Sequence, residues 1–174
     1  MKRIVLCGPS CSGKTTIKQS LIQRNLNPSV SYTTRPMREN EIEGHDYHFV
    51  SRERFEELIQ QDFFFEYDDV FGDYYGTSMR DLEARQIFIL TPKAISKLRT
   101  SELSESTLVI QLTAPLVTRI KRSTERGDSV LQILKRISRD KKTFSNFKDY
   151  DIILDTDEYT EEQILEIIEG YNIQ

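Results

Sequence analysis

The stretch Ile4-Val5-Leu6-Cys7-Gly8-Pro9-Ser10-Cys11-Ser12-Gly13-Lys14-Thr15-Thr16 decides how this chain is read. An apolar run leads into a segment that fits G-x-x-x-x-G-K-[ST] at every fixed position. Ile17, Leu21 and Ile22 then recur at helical spacing, so the motif has a strand before it and a helix after it. Each residue type has a chemical reason. Gly8 and Gly13 let the backbone turn so that successive N–H groups face a phosphate, with Pro9, Ser10, Cys11 and Ser12 forming the loop between them. Lys14 neutralises β- and γ-phosphates. The Thr15 hydroxyl suits Mg²⁺, which prefers oxygen ligands, and Thr16 is grouped with the loop as a further ATP contact. The segment predicts a site for ATP with Mg²⁺, Thr15 being the metal ligand. A glycine turn that binds nothing is the bland alternative, and the full match in its context argues against it.

Working outward, Ile87-Phe88-Ile89-Leu90, Leu108-Val109-Ile110-Gln111-Leu112 and Ile152-Ile153-Leu154 are short runs bounded by polar residues and apolar on both faces, as central parallel strands are. Helical periods lie between and after them. Thr91-Pro92 reads as an N-cap with proline at the first helical position, and Thr113 with Pro115 as a similar start. Asp128 or Ser129 opens a helix carrying Leu131, Leu134 and Ile137. Thr160-x-x-Gln163 has capping-box spacing ahead of Ile164, Ile167 and Ile168. Strands alternating with helices predict an α/β fold around a central parallel sheet. The stretch from about 32 to 75 differs in being aromatic-rich and charged, with a helix from Ser51 carrying Phe55, Leu58 and Ile59. Its strand-like runs at 47–50, 63–67 and 74–75 suggest a small separate sheet, read as a substrate-binding insertion after the second core strand.

A chain of 174 residues with 37% hydrophobic and 30% charged residues is long enough for one folded domain and ordinary in composition. Its net charge of −4 argues against a general nucleic-acid binder, which needs a basic face to neutralise phosphates. No apolar run approaches the ~20 residues of a membrane span, and the run after Lys2 and Arg3 is too short for a signal-peptide core. A cytoplasmic location without membrane association is therefore expected, and no obligate protein partner is indicated. Cys7 and Cys11 do not form a disulfide framework, and their spacing to His45-x-x-His48 is not that of a zinc site.

Ser31-Tyr32-Thr33-Thr34-Arg35-Pro36-Met37-Arg38 sets two arginines among hydroxyls, and Glu41, Gly44, Asp46 and Tyr47 follow. Later come Glu66 and then Gly72-Asp73-Tyr74-Tyr75-Gly76-Thr77. Arginine forks suit a phosphate dianion, and a carboxylate can accept two N–H donors from a base. Together with the phosphate loop and the closing Asp149-Tyr150-Asp151-Ile152-Ile153-Leu154, these stretches resemble the guanylate kinase family in order and over nearly the whole chain. The resemblance implies a three-layer P-loop α/β fold with an inserted small α+β monophosphate-binding subdomain at 32–85 and a helical lid at 118–136. The core would then comprise 1–31, 86–117 and 137–174. It implies transfer from ATP to GMP or dGMP. Arg35, Arg38, Tyr47 and Tyr75 would hold the GMP phosphate, Ser31 and Thr77 would assist, and Glu66 would read guanine. Arg122 would contact ATP, while Lys14, Arg38, Arg126 and Arg136 would act on the transferring group. Arg119 and Lys121 read as an ordinary solvated helical face.

The resemblance breaks at one motif. The family's third core strand ends in Asp-Ile-Asp-x-Gln-Gly, whereas here Ile87-Phe88-Ile89-Leu90 runs into Thr91-Pro92-Lys93, so both acids are missing. The family asparagine near the last strand appears as Asp155. Weaker guanine selectivity, with Thr91 substituting in part, or low activity would follow. A kinase for another nucleoside monophosphate or phosphorylated small molecule, and a weakly active nucleotide-binding module, remain the alternatives. Retention of Glu66, Tyr75 and Thr77 speaks for a substrate with a base, and retention of Lys14 and Thr15 speaks for an enzyme.

Overall fold

A computed structural model describes residues 2–39 and 41–171. In chain order it contains β1 (Arg3–Cys7), α1 (Lys14–Gln23), β2 (Tyr32–Thr33), β3 (His48–Phe49), α2 (Arg52–Gln60), β4 (Phe64–Val70), β5 (Asp73–Ser78) and α3 (Met79–Ala84). There follow β6 (Ile87–Ile89), α4 (Pro92–Arg99), β7 (Thr107–Thr113), α5 (Leu116–Glu125), α6 (Val130–Phe144), β8 (Ile152–Asp155) and α7 (Glu161–Gly170). The chain divides into two compact units, one of Met1–Leu26 with Ile87–Gln174 and one of Asn27–Gln86.

The first unit is an α/β layer structure around a parallel sheet of order β6-β1-β7-β8. All of β1 is buried, which is why its residues after Arg3 are apolar without alternation. Ile4, Leu6, Ile110, Leu112 and Leu154 pack against Ile17 and Leu21 of α1 and Ile164, Leu165 and Ile168 of α7. Val5 and Val109 from the other sheet face, and Ala94, Ile95 and Leu98 of α4, are buried too. Each such aliphatic side chain contributes roughly 1.5–3 kcal/mol by leaving water. Helix starts follow local chemistry. Thr91 accepts from the Ala94 N–H with Pro92 at the first turn, and Ser129 and Thr160 each form a full capping box.

The second unit has its own mixed sheet of order β3-β2-β5-β4, with α2 packed through Phe55 and Leu58 against Phe64, Tyr32 and Tyr74. Phe55 stacks on Phe64 at 4.4 Å between ring centroids. Gly76 lies against these rings, since a Cβ there would stand 2.8 Å from Phe64 Cδ1 and 3.0 Å from Phe55 Cζ.

Three expectations need correction, and one open choice is decided. The segment of the second unit does not follow a second core strand. Tyr32–Thr33 pairs with β3 and β5, because Tyr32 packs edge-on against Phe63 and Phe64 in the small sheet, and the second strand of the core is β6. Thr113 does not cap α5. It ends β7, where its hydroxyl bonds the Leu154 carbonyl and Asp155, and α5 starts after Pro115 without a side-chain cap. Of the two residues offered as the start of α6, Ser129 is the cap, because Asp128 is drawn to Ser123, Arg126 and Arg136. The buried residue near the start of that helix is Ile133, whereas Leu131 and Leu134 are 62% and 58% exposed.

Candidate functional site

The phosphate loop closes the C-terminal end of β1. Gly8 has φ 136°, and an added Cβ would meet the Leu112 carbonyl oxygen at 2.0 Å, so no side chain fits. Gly13, at φ 89°, precedes α1 with no side-chain cap, which leaves the first-turn N–H groups to be satisfied from outside the helix. Between them Cys11 holds φ 60°. Lys14 folds back over the loop and donates to the Gly8 and Pro9 carbonyls, each at 2.8 Å. Burial pulls its ammonium down to about 8, and the Asp140 carboxylate is the largest charge opposing that fall. Burial also pushes the Cys7 thiol up to about 12, so it stays protonated and inert. Thr15 and Thr16 lie exposed on the first turn of α1.

Helices α5 and α6 bring a set of arginines to this loop. Arg122 donates to the Cys11 carbonyl at 3.3 Å and the Thr156 hydroxyl at 2.9 Å, and pairs with Asp157 at 3.2 Å. Arg126 is bonded to Asp128, with Arg136 Nε 3.7 Å from the same carboxylate. Burial opposes ionisation of Asp128, but the Arg126 and Ser123 hydrogen bonds hold its pKa below the usual value. Arg136 Nε is buried without a hydrogen-bond partner and lines a void of about 10 Å³ with Ser10, Cys11, Arg119 and Asp140. Arg119 departs from the solvated face expected of it. It is half-buried, donates from Nε to the Ser10 carbonyl at 3.0 Å and pairs with Asp140 at 2.8 Å. Lys121 is exposed. Beside the loop runs a groove of about 250 Å³ bordered by Gly13, Thr16, Arg122, Thr156, Tyr159 and Glu161.

The second unit assembles Arg35, Arg38, Tyr47 and Tyr75. The Arg35 guanidinium bonds Glu41 at 2.6 Å and lies 5.6 Å from the Tyr47 ring centroid, a cation–π contact, and the Tyr47 and Tyr75 rings meet edge-on at 5.9 Å. Arg38 gives its main-chain N–H to Glu41 at 2.8 Å while its side chain is largely exposed. Burial opposes the Arg35 charge, but Glu41 and Tyr75 hold its pKa above the ordinary value. Burial likewise raises the Tyr47 phenol, which remains a hydrogen-bond donor at neutral pH. A bulge between Phe64 and Glu66 brings Glu66 into register with Thr77, whose hydroxyl donates to it at 3.3 Å. Ser31 is half-buried, and its carbonyl accepts from the His48 N–H at 2.9 Å.

Sequence reasoning missed Glu41 as the organiser of the arginines, and it missed Asp140. An acid standing alone among Arg139, Lys141 and Lys142 was the available signal for the latter.

The guanylate kinase family model matches residues 1–171. The guanylate kinase of Maricaulis maris is 32% identical over 182 residues, spanning 98% of this chain and 84% of that protein. That of Aliivibrio fischeri is 34% identical over 172 residues, spanning 92% and 82%. A crystal structure of guanylate kinase from Anaplasma phagocytophilum superposes with a TM-score of 0.73 at 24% identity, covering 99% of this chain and 87% of that one, a likeness of fold.

Proposed function

The chain belongs to the guanylate kinase family, and from that premise we propose that it transfers the γ-phosphoryl group of ATP to GMP or dGMP, giving ADP and GDP or dGDP. The observation that carries the reading is that one chain holds both a Lys14 phosphate loop and a second phosphate-suited cluster, Arg35 with Tyr47, Tyr75 and Arg38. Two phosphate sites of this kind fit phosphoryl transfer between two phosphorylated ligands better than simple hydrolysis.

ATP would lie with its triphosphate in the loop and its nucleoside along the groove at Arg122, Thr156 and Tyr159. The acceptor is a phosphate oxygen that is already ionised near neutral pH, so no general base is needed to make the nucleophile. Positioning and charge therefore carry the rate. Lys14 would meet the β- and γ-phosphates, exchanging its two carbonyl bonds for phosphate oxygens. Arg126 and Arg136 would stabilise charge that spreads over the transferring group. Arg35 and Arg38 would fix the acceptor phosphate, and Glu66, oriented by Thr77, would accept from the guanine N1–H and 2-amino group. The unit Asn27–Gln86 would act as the monophosphate-binding subdomain and 118–136 as a lid, whose closure excludes water.

Mg²⁺ fits the donor set. Among the described residues no group of three or more His, Cys, Asp or Glu side chains forms a metal cage. The Thr15 hydroxyl supplies one hard oxygen, as expected for an ion held chiefly by nucleotide phosphates and water. When bound it would neutralise phosphate charge.

The missing Asp-Ile-Asp acids favour one second reading, a kinase acting on another nucleoside monophosphate. An assay coupling ADP release to NADH oxidation, run against GMP, dGMP, AMP, CMP and UMP, separates the two. A preference for GMP or dGMP is expected, and preference for any other acceptor overturns the assignment.

A further inference from the structure

Ser10 is held on all its polar atoms by two residues that come from helices more than a hundred positions later. Its N–H donates to Asp140 Oδ2 at 2.8 Å and its hydroxyl to Asp140 Oδ1 at 3.3 Å. Its carbonyl accepts from Arg119 Nε at 3.0 Å, and Arg119 Nη2 closes the circuit on Asp140 Oδ2 at 2.8 Å. The paired side chains are only 15% and 11% exposed, so water competes weakly for these bonds. The next residue is gripped from α5 as well, since Arg122 donates to the carbonyl of Cys11, which stands at φ 60°. The void at this seam has room for about one water molecule and none for a phosphate.

We propose that Asp140 and Arg119 are positioning residues that set the register of the donor triphosphate in the loop. This rests on the reading that the loop carries ATP. Two effects combine. The Ser10 N–H is withdrawn from the set of amides that can bind an anion, and a fixed carboxylate stands beside it, so a triphosphate is turned away from this end of the loop and towards Gly13 and Lys14. The loop is also fixed before ATP arrives, which removes part of the ordering cost of binding. A buried ion pair that merely joined α5 to α6 would do neither, because it would have no reason to spend its oxygens on Ser10.

The test uses the whole chain as wild type, Asp140→Asn, Asp140→Leu, Arg119→Met and the double variant Arg119→Met/Asp140→Leu. Steady-state kinetics give KM for ATP, KM for GMP and kcat, and calorimetry gives the affinity for MgATP. Asp140→Leu is expected to raise KM and Kd for ATP by at least about tenfold, the scale of about one lost hydrogen bond to a charged group, with KM for GMP within about twofold. Asp140→Asn, whose amide oxygen still accepts from the Ser10 N–H, should recover most of the affinity. The double variant should be no worse than Asp140→Leu, because both residues act through Ser10. It removes both members of the Arg119–Asp140 pair and so leaves no unpaired Arg119, which lets it carry the test if the single leucine variant does not fold. Unchanged ATP affinity in the double variant, an equal rise in both KM values, or a lower kcat with both KM values unmoved overturns the proposal. Wild type that binds MgATP without phosphorylating any monophosphate overturns the kinase reading instead, while the ranking of ATP affinities still decides the role of Asp140.

Discussion

The guanidinium of Arg35 is bonded to the carboxylate of Glu41 at 2.6 Å, with side chains only 11% and 15% exposed, and that same carboxylate takes the Arg38 main-chain N–H. The arginine proposed to hold the acceptor phosphate is thus aimed before any ligand arrives, because Glu41 fixes both the guanidinium and the turn that carries the second arginine. Glu41→Gln keeps the shape and removes the charge. It should lower kcat/KM for GMP by about tenfold, the cost of about one charge-assisted bond, and leave KM for ATP unchanged. Burial opposes the Glu41 charge, but the Arg35 and Arg38 bonds hold its folded pKa below the usual 4.5. Its contribution to stability is therefore present above that value and lost as pH falls through the folded pKa. Thermal melts from pH 6 to pH 3 should show a shallower acid decline in Glu41→Gln. An unaltered acid limb would show that the pair is not felt in stability.

Lys14 is a charge held over a turn rather than a core element. Lys14→Met should abolish transfer and leave the circular dichroism spectrum unchanged. More than about a tenth of wild-type turnover would remove the loop assignment, since such a loss falls well short of a lost transition-state charge.

The free ammonium titrates near 8, whereas ATP phosphates beside it favour the protonated form. ATP binding should therefore take up protons between about pH 8 and 9, and the uptake should fade towards pH 7, where Lys14 is already charged. Calorimetry in buffers of different ionisation enthalpy measures this directly. In the unfolded chain the lysine keeps its proton up to about 10.5, so this group also makes the free protein more stable as pH rises from about 8. Binding enthalpies that ignore the buffer at pH 8.5 would contradict a Lys14 that gives up its proton in the free loop and regains it beside ATP.

What the sequence disclosed is what local chemistry decides. The buried β1 run, the loop glycines, the Thr91-Pro92 start and the Thr160 capping box are each written within a few neighbouring residues. The rest depends on partners far along the chain. Tyr32–Thr33 is too short to declare its sheet, and its membership follows from Phe63, Phe64 and Gly76, all more than about thirty residues later. Leu131 and Leu134 have helical spacing, but only contact with α5 selects the buried face, and it selects Ile133. Asp140 meets Ser10 across 130 positions, so periodicity carries no trace of the pairing.

Gly76 is required for space. It sits between Tyr75 and Thr77 with Phe64 and Phe55 pressed against it. Gly76→Ala should lower stability by about 1–3 kcal/mol through overpacking, and shift the two flanking side chains enough to raise KM for GMP. Melting curves and kinetics together check it, and a rise in KM for ATP as large as that for GMP would contradict the local origin.

Glu66 faces Thr77 across the β4–β5 ladder, held by a hydroxyl bond at 3.3 Å, and it is the carboxylate assigned to guanine. The two acids of the Asp-Ile-Asp motif are absent, and the chain has Thr91-Pro92-Lys93 there instead. A site that hydrogen-bonds a base edge fully can reject the wrong base by ~10⁴–10⁵, and each missing contact shrinks that margin. GMP or dGMP should therefore be the best acceptor, with weaker discrimination against AMP than in an enzyme that keeps both acids. Thr91 already caps α4 by accepting from the Ala94 N–H at 3.2 Å, and aspartate is as good a cap, so Thr91→Asp tests the restored acid without disturbing the helix. The comparison is kcat/KM for GMP and AMP in wild type, Thr91→Asp and Glu66→Gln. Thr91→Asp should widen the GMP-to-AMP ratio and Glu66→Gln should narrow it. If the ratio survives Glu66→Gln intact, that carboxylate does not read the base and the guanine assignment fails.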